Sequence, residues 1–431
     1  MRVLFISSPT WDISNSYGNT FSNLFGGMEE LEVYNIACNS GKNKNEIVKA
    51  ALQLTDKAVL KSIFSLNYDP CVEMPLDGGD ENEVVGKNLY KKLRNKRYTL
   101  FFLIREIIWK FGRWKKSSKL DSFLKEVNPD VLYINIYGDF FNYVSRVQYY
   151  IIKKLNVPVV GHINDDNYHY RKYGFSPLKY YLHYEVRKSL IKIVRECEYV
   201  ECFAPQMKEE YEKIFHVPFY IIGKGLRKNE MPSNYYIPSN EKELLVLAYT
   251  GNLDDGRYEI LYRLGLSLDK LSYIRKCKLV ITSGTYPTDD MINKFLTCHC
   301  IDYRGSVSIE EIKKVQNNAD YLIHVDNFDP YSISMYRLSF ATKIIDCLRT
   351  GHPMIAIGPS CVNSIQELSN NDIAFVINKM EDIELKVQQL LEGKVDVNKI
   401  QNNVKSYLEE KRDLTTIQYG IKNRLLSLCN N

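Results

Sequence analysis

Hydrophobic residues occur along the chain in short runs rich in Val, Ile, Leu and Tyr, separated by longer segments with helical spacing. Such runs predict buried strands of a parallel sheet, and their alternation with helical segments predicts a doubly wound α/β fold. In the first half of the chain we expect strands at 2–7, 31–37, 130–136, 157–163, 199–205 and 219–225. In the second half we expect strands at 244–251, 278–284, 301–305, 321–325, 354–358 and 373–378.

The length and one polar segment predict the domain organisation. At 431 residues the chain is too long for one ordinary core. The segment 226–243 is rich in Pro, Asn and Ser, which is typical of a linker. We therefore predict one Rossmann-like domain at 1–225 and a second at 244–396. Helices at 397–431 are expected to pack back towards the N-terminal domain.

Cysteine usage and the apolar runs restrict the protein class. The ten cysteines form no CxxC pair and no zinc-type spacing, which favours reduced thiols in the cytoplasm. Residues 2–7 are too short an apolar run for a secretory signal, and no run reaches the roughly 18 residues of a membrane span. We expect a cytoplasmic protein.

Positive charge is concentrated in one segment. The net charge is +5, yet residues 87–119 alone contain twelve Lys or Arg and one acidic residue. Within this segment, residues 98–114 place apolar side chains on one helical stripe, as in a helix that lies on an anionic membrane surface. A core-facing helix followed by solvated charges is the alternative, and nucleic acid is not expected as a partner. The candidate membrane residues are Lys91, Lys92, Arg94, Arg105, Trp109, Lys110, Arg113, Trp114, Lys115 and Lys116.

Ligands of doubly wound sheets bind at the carboxyl ends of the strands, which directs attention to the segments that follow them. In the second half, the segment "TGNLDDGR" (250–257) contains Gly251, which lets the backbone at Gly251 and Asn252 come close to a ligand. It also contains Arg257, a candidate phosphate ligand. Taken singly, such a glycine is most often a turn residue and such an arginine a surface residue.

The stretch "SFATKIIDCLRTGHPMIAIG" (339–358) is more specific. If a helix begins near Ser339 or Ala341, its first amides and the hydroxyls of Ser339 and Thr342 form an anion site to which Lys343 adds charge. Asp346, one turn later, is suited to accept the hydroxyls of a ribose. These groups together predict a nucleoside diphosphate site. An N-cap serine with solvated Lys and Asp is the alternative.

The candidate acceptor side lies in the first half of the chain. His162 ends an apolar strand, and Asp165 and Asp166 follow it on a loop, so all three are candidate catalytic groups. A structural histidine and an acidic helix cap are the alternatives. In the first loop, Gly18 and Asn19 are candidate acceptor-binding residues, because a glycine lets the backbone approach a ligand.

The run "SFATKIIDCLRTGHPMIAIGP" resembles the S-x-x-T-K-hydrophobic-x-(E/D)-x-L-x-x-G-x-P element of GT-B fold glycosyltransferases. It resembles especially the bacterial group 1 (family 4-like) enzymes that build capsular, exopolysaccharide or O-antigen chains. The segment 303–325 is similar to the one that precedes this element there. "AYTGNLDDGR" resembles the start of their donor-binding domain, and "HINDD" (162–166) resembles the cluster after an acceptor-domain strand. The similarity covers nearly the whole chain.

This resemblance implies two facing Rossmann-like domains with a cleft between them. It implies transfer of a hexosyl group from a UDP- or GDP-linked sugar to a saccharide acceptor, carried on a lipid at the inner face of the membrane. Asp346 would hold the ribose, and Thr342, Lys343 and Arg257 would meet the diphosphate. No cofactor is implied, and the spacing of "DNFDP" (326–330) does not match a DxD metal motif.

The resemblance also implies retention of anomeric configuration, with two departures. A second basic residue usually follows the arginine by several positions, where this chain has Tyr262 and Arg263. Retaining members most often have two acids separated by seven residues, and the first falls at Leu338 here. Two other functions stay open: a sugar-nucleotide epimerase on the same fold, and a non-catalytic nucleotide-sugar-binding protein.

Overall fold

The computed structural model describes residues 1–75, 99–137, 142–169 and 176–429. The chain divides into two compact units: unit 1 is Met1–Lys224 with Leu414–Asn431, and unit 2 is Gly225–Asp413. Each unit contains one sheet, and the two are described separately.

The sheet of unit 1 has eight strands. In chain order they are β1 (Arg2–Ser7), β2 (Glu32–Ala37), β3 (Val48–Leu54), β4 (Cys71–Met74), β5 (Val131–Asn135), β6 (Val159–Ile163), β7 (Tyr199–Cys202) and β8 (Phe219–Ile221). Their spatial order is β4-β3-β2-β1-β5-β6-β7-β8. Every pair is parallel except β3 with β4. β5 and β6 are buried along their whole length, which explains their continuous apolar sequences.

The described helices of unit 1 are α1 (Ser16–Phe25), α2 (Asp56–Phe64), α3 (Thr99–Phe111), α4 (Ser118–Val127), α5 (Asn142–Leu155), α6 (Pro177–Val194), α7 (Pro205–Phe215) and, at the C-terminus, α16 (Leu414–Cys429). Several begin at the caps that the sequence offers: the side chain of Asn15 accepts from the Gly18 amide, and Thr55 accepts from the Ala58 amide.

Unit 2 has a six-stranded, fully parallel sheet. Its strands are β9 (Leu244–Thr250), β10 (Lys276–Thr282), β11 (Ile301–Gly305), β12 (Tyr321–Val325), β13 (Met354–Ile357) and β14 (Phe375–Ile377), in the spatial order β11-β10-β9-β12-β13-β14. The helices are α8 (Arg257–Lys270), α9 (Asp289–Leu296), α10 (Ile309–Asn317), α11 (Pro330–Tyr336), α12 (Lys343–Leu348), α13 (Asn363–Asn370), α14 (Ile383–Leu391) and α15 (Val397–Lys411).

The predicted doubly wound α/β fold is confirmed, and all twelve predicted strands are present with small shifts at their ends. In both sheets the chain reverses its direction of winding at one place: between β1 and β5 in unit 1, and between β9 and β12 in unit 2. The carboxyl ends of strands at such a switch point form the usual ligand crevice of this architecture. These two edges are therefore the places to look for a site.

The segment 226–243, which we predicted as a linker, packs within unit 2. The buried carboxylate of Asp320 accepts from the Tyr236 hydroxyl at 2.6 Å and lies 2.8 Å from Lys242 Nζ. The predicted C-terminal segment 397–431 divides after Asp413. α15 belongs to unit 2, where Gln401 donates to the Tyr236 carbonyl, whereas α16 belongs to unit 1.

Candidate functional site

Two loops meet at the switch point of unit 2, one after β9 and one after β12. The side-chain amide of Asn327 donates to the Asp255 carbonyl at 2.9 Å, and Arg257 Nε donates to the Val325 carbonyl at 3.1 Å. Gly256 has a φ of +77°, and a Cβ there would lie 2.1 Å from the Asn327 amide nitrogen, so only glycine fits this contact. The two loops therefore form one structure.

Arg257, the predicted phosphate ligand, is the first residue of α8 and is largely buried. Its Nη2 lies 3.4 Å from Asp326 Oδ1, and the guanidinium stacks over the Tyr336 ring at 4.8 Å. Burial alone would raise the pKa of Asp326, but His324, 2.9 Å from its other oxygen, and Arg257 hold that pKa below its usual value. Arg257 thus places its charge at the switch point while it is anchored by an internal ion pair.

Gly251 and Asn252, predicted to approach the donor, set the conformation of the loop after β9. A Cβ at Gly251 would lie 2.6 Å from the Tyr249 ring, and the Tyr249 hydroxyl donates to the Asn252 carbonyl. The Asn252 side-chain oxygen accepts from the Asp254 amide at 2.7 Å and from the Thr285 hydroxyl at 2.6 Å. Their observed contacts are within the protein.

The helix that we expected to begin near Ser339 or Ala341 begins at Lys343 instead, and it is only six residues long. The reason is local: the Ala341 amide donates to the Ser364 hydroxyl at 3.0 Å, and Ser339 is buried. The predicted anion site therefore loses the Ala341 amide. Because Ser364 lies in α13, which follows β13, this contact places residues 339–342 at the carboxyl end of β13.

The remaining polar groups of this element are accessible to solvent. Lys343 is exposed, and Thr342 and Asp346 are half-buried, whereas Ile344 and Ile345 between them are fully buried. The apolar side of α12 thus packs into unit 2 and leaves hydroxyl, ammonium and carboxylate groups on the accessible side. Leu338, at the position of the absent first acid, is completely buried.

In unit 1, β1, β5 and β6 end beside one another, and His162 lies near the end of β6. Its ring is fully buried and makes edge contacts with Phe21 and Phe203, with centroids 5.0 and 4.8 Å away. Burial lowers the pKa of His162 to about 4, so the imidazole is neutral at neutral pH. Nε2 pairs with the Asn164 side chain. Nδ1 has no hydrogen-bond partner among the described residues.

The two candidate aspartates differ sharply in environment. Asp165 is exposed, whereas Asp166 is almost completely buried. Asp166 Oδ1 accepts from the Tyr211 hydroxyl at 2.8 Å and from the His169 amide at 3.1 Å, and His169 Nδ1 lies 3.0 Å from Oδ2. Burial would raise the pKa of Asp166, but His169 and Tyr211 hold it below its usual value. In this position Asp166 fixes the loop to α7 and is not presented to solvent.

Gly18, predicted to let a ligand approach the backbone, is approached by the chain itself. It lies in the first turn of α1, and a Cβ there would be 2.1 Å from the Asp12 carbonyl oxygen. Asn19 is exposed, and its side-chain oxygen accepts from Lys224 Nζ at 2.5 Å. The glycine is needed for the fold of the first loop.

The predicted membrane helix is present as α3, but three of its predicted contacts are buried. Trp109 and Trp114 are 1% exposed and Arg105 is 3% exposed, so these three do not face a membrane. The tryptophans are inside because their indoles find partners: Trp109 donates to Asp56 Oδ1 at 2.6 Å, and Trp114 donates to the Trp109 carbonyl at 2.9 Å. Arg105 stacks on the Tyr143 ring at 4.4 Å.

The other predicted membrane residues are distributed as follows. Lys110, Lys115 and Lys116 are exposed, and Arg113 is half-buried. Lys91, Lys92 and Arg94 lie outside the described residues. Within the described ranges, no helix is both long and apolar enough to cross a bilayer.

Sequence reasoning missed the buried network at the switch point of unit 2. Asp326 is the shared partner of His324 and Arg257, and Asp255 accepts from the Tyr336 hydroxyl at 2.5 Å. The available signal was an acidic residue directly after the apolar run of β12, the position at which side chains reach the carboxyl edge of the sheet.

No protein-family model matches the chain, and no curated protein matches it by sequence. Solved structures do. WaaG, a glycosyltransferase involved in lipopolysaccharide biosynthesis, superposes with a TM-score of 0.57 over 99% of both chains at 11% identity. The lipopolysaccharide outer core galactosyltransferase WaaB gives 0.55 over 99% of both chains, also at 11% identity. Alr3699/HepE from Anabaena, in complex with UDP-glucose, gives 0.50 at 12% identity over 73% of this chain and 83% of that one. The chain therefore has the GT-B fold, the fold of these glycosyltransferases.

Proposed function

We propose that the protein is a glycosyltransferase that moves a hexosyl group from a UDP- or GDP-linked sugar to a saccharide acceptor. The observation that carries this proposal is the Thr342, Lys343 and Asp346 group at the carboxyl edge of the unit 2 sheet in a chain with the GT-B fold. We further propose that the acceptor is lipid-linked and belongs to the synthesis of a surface polysaccharide such as capsule or O-antigen. The similarity to two lipopolysaccharide enzymes supports this choice.

The donor-side chemistry follows from charge. When the sugar–phosphate bond breaks, negative charge develops on the departing nucleoside diphosphate, and fixed cations and hydroxyl donors that face it lower the barrier. Thr342 supplies a hydroxyl and Lys343 an ammonium, whose pKa desolvation lowers although part of the side chain is exposed, and Arg257 adds a buried positive charge on the same edge of the sheet. Asp346, one helical turn after Lys343, accepts the two ribose hydroxyls. In this proposal the charge of the departing diphosphate is stabilised by these side chains and not by a protein-bound metal ion.

On the acceptor side, we propose roles for His162 and Asp165. The neutral imidazole of His162 has one ring nitrogen, Nδ1, without a hydrogen-bond partner among the described residues, but this nitrogen is buried, so a substrate hydroxyl reaches it only if the surrounding side chains move. Asp165 is accessible and lies three residues after His162, whereas Asp166 is buried and holds the loop that carries Asp165. We propose that transfer retains the anomeric configuration, with His162 orienting the reacting hydroxyl and the departing phosphate assisting as base.

One observation favours a second candidate, a nucleotide-sugar-binding protein without turnover. The position of the first acid of retaining relatives is Leu338, whose side chain is completely buried and apolar. A sugar-facing acid must therefore come from elsewhere in the chain or be absent. Formation of a glycosylated acceptor, measured by mass spectrometry, distinguishes an enzyme from this alternative. Release of an epimer without acceptor would instead indicate an epimerase.

The first test is calorimetric binding of UDP, GDP, ADP and CMP to the wild type and to Asp346→Ala. We expect saturable binding of one nucleotide and a loss of roughly 10- to 100-fold in affinity in the variant, the usual effect of removing a hydrogen bond to a charged group. Asp382→Ala is the matched control, because Asp382 ends a 3₁₀ turn elsewhere in unit 2 and is not at the switch point. Binding that Asp346→Ala leaves unchanged, or none at all by the folded wild type, would overturn the proposed donor site.

A further inference from the structure

α3 has apolar side chains on two opposite faces. One face packs into unit 1 through Phe102 and Trp109, which are 5% and 1% exposed. The opposite face carries four large apolar residues at helical spacing, the outer stripe, which consists of Leu100, Ile104, Ile107 and Phe111. A helix that is apolar all round is normally buried in protein or in lipid. The inner face is buried in the fold, whereas the described residues leave the outer stripe exposed.

The outer stripe is strongly exposed: Leu100 by 62%, Ile104 and Ile107 by 48% each, and Phe111 by 66%. This amounts to roughly 400 Å² of apolar surface, a size that usually marks an interaction site. α2 packs directly beside α3 and adds Leu60 and Phe64, 39% and 82% exposed. The stripe spans twelve residues, or roughly 17 Å along the helix axis, so it offers an elongated surface rather than a pocket.

The solvent-facing charges of the segment that carries the outer stripe are of one sign, and Glu185 of α6 is an acid that borders Ile107 and Lys110. Lys110 lies on α3, and Arg113, Lys115 and Lys116 follow in the 3₁₀ turn at its end. The one acid of α3, Glu106, is turned inwards, where it accepts from the Tyr143 amide at 2.9 Å and lies 3.4 Å from Arg146 Nε. The solvent-facing charges from 99 to 119 are therefore all positive. An anionic partner is favoured over a neutral or basic one.

We propose that the outer stripe of α3, with the adjacent cations, docks unit 1 onto an anionic lipid bilayer. Apolar side chains along one face, flanked by Lys and Arg, are what an interfacial helix needs to insert into the acyl boundary while its cations meet the headgroups. The aliphatic residues and Phe111 make the apolar contact, and the two buried tryptophans take no part. Membrane docking does not depend on the proposed function. Only its purpose, to bring unit 1 to a lipid-linked acceptor, rests on that proposal.

The test is co-sedimentation of the full chain with vesicles of phosphatidylcholine alone and of phosphatidylcholine with one-third phosphatidylglycerol. We expect binding to the anionic vesicles at low salt and weaker binding at high salt, because salt screens the cations. Ile104→Ser with Ile107→Ser should reduce binding roughly tenfold, because both side chains lose their insertion into the acyl boundary. The matched control is Leu296→Ser on α9, whose side chain is 78% exposed and should be silent.

A second pair of variants tests the charge. Replacing Lys110, Lys115 and Lys116 by Gln should weaken binding to anionic vesicles, whereas replacing the exposed Lys276, Lys313 and Lys405 by Gln changes the net charge equally and should have little effect. Equal losses in both triple variants would overturn docking through α3. Docking is also refuted if the wild type ignores anionic vesicles, or if the stripe variant only abolishes self-association in solution.

Nucleotide calorimetry separates this inference from the proposed function. The stripe variant should bind the donor nucleotide as the wild type does, because α3 lies in unit 1 and the donor residues lie in unit 2. Loss of vesicle binding with intact nucleotide binding supports the docking surface. Intact vesicle binding without any nucleotide binding refutes the proposed function and leaves the docking surface standing.

Discussion

Replacement of Arg424 by Met tests the buried ion pair between α16 and the sheet of unit 1. Arg424 Nη2 lies 2.6 Å from Glu201 Oε1, and the Tyr133 hydroxyl donates to the other carboxylate oxygen at 2.7 Å. The Glu201 side chain is fully buried, and that of Arg424 is 23% exposed. Burial raises the pKa of Glu201 above its ordinary value of 4.5, and Arg424 and Tyr133 offset this only in part.

The magnitude follows from what the substitution leaves behind. Removing one partner of a buried ion pair typically costs about 3–5 kcal/mol, because the remaining charge is uncompensated. Here Tyr133 still donates to Glu201 after the substitution. Arg424 is also partly exposed, so the ion pair is less completely buried than those that give the full cost. We therefore expect the free energy of unfolding of unit 1 to fall by about 2–3 kcal/mol at pH 8.

The loss should depend on pH with a defined sign. A carboxyl group whose pKa is raised on folding contributes its full stability below its ordinary pKa, and this contribution is lost as the pH rises through the raised value. Without Arg424 the pKa of Glu201 rises further above 4.5, so the variant loses more stability than the wild type between pH 5 and pH 8. The difference between them should thus be smaller at pH 5.

Urea unfolding followed by tryptophan fluorescence measures this effect in the right place, because all three tryptophans, Trp11, Trp109 and Trp114, are buried in unit 1. Lys153→Met, which removes a largely exposed ion pair, is the control and should leave the free energy of unfolding close to that of the wild type. A loss below about 0.5 kcal/mol for Arg424→Met at pH 8, or the same loss at both pH values, would refute the reasoning.

Three further substitutions have expected outcomes. Gly18→Ala should lower the stability of unit 1 by about 2 kcal/mol in fluorescence-monitored unfolding, because its Cβ meets the Asp12 carbonyl; a stable but inactive variant would support a ligand-binding role instead. Gly256→Ala should cost about 1–2 kcal/mol, read by circular dichroism, because of its left-handed φ; unchanged stability would contradict this. Trp109→Phe leaves Asp56 without its indole donor and should cost about 1–2 kcal/mol in urea unfolding; a neutral result would show that this hydrogen bond contributes nothing.

The sequence was sufficient for most of the fold because buried parallel strands are short, continuous and apolar. β3 and β4 were not predicted. β3, "VKAALQL", contains two alanines, a lysine and a glutamine, and β4 is a four-residue antiparallel edge strand, "CVEM". Neither has the apolar run that identified the others. The position of β3 depends on its pairing with β2, and that of β4 on its pairing with β3, contacts that local pattern does not encode.

The candidate sites were predicted less well, because a pattern gives the residue type at a strand end but not the partner that it finds. Arg257 was predicted from its place before a helix, yet its pairing with Asp326 requires the β9 and β12 loops to meet. The helix start at 339–341 was wrong because Ser364, 23 residues later, binds the Ala341 amide. Such long-range contacts exist only in the folded chain.

Each of the two switch points has one buried aspartate that binds neighbouring side chains and one aspartate that is accessible to solvent. In unit 1, Asp166 is buried and held by Tyr211 and His169, while its neighbour Asp165 remains exposed. In unit 2, Asp326 is buried between His324 and Arg257, while Asp346 remains partly exposed. A buried carboxylate with several donors fixes the loop around it, because leaving any of these polar groups unpaired costs free energy. The buried acid therefore holds the loop in place, and the neighbouring acid remains accessible to solvent on this ordered loop. A ligand-binding edge requires both. On this argument Asp166→Asn should lower the free energy of unfolding of unit 1, measured by urea unfolding, and should lower it more than Asp165→Asn does.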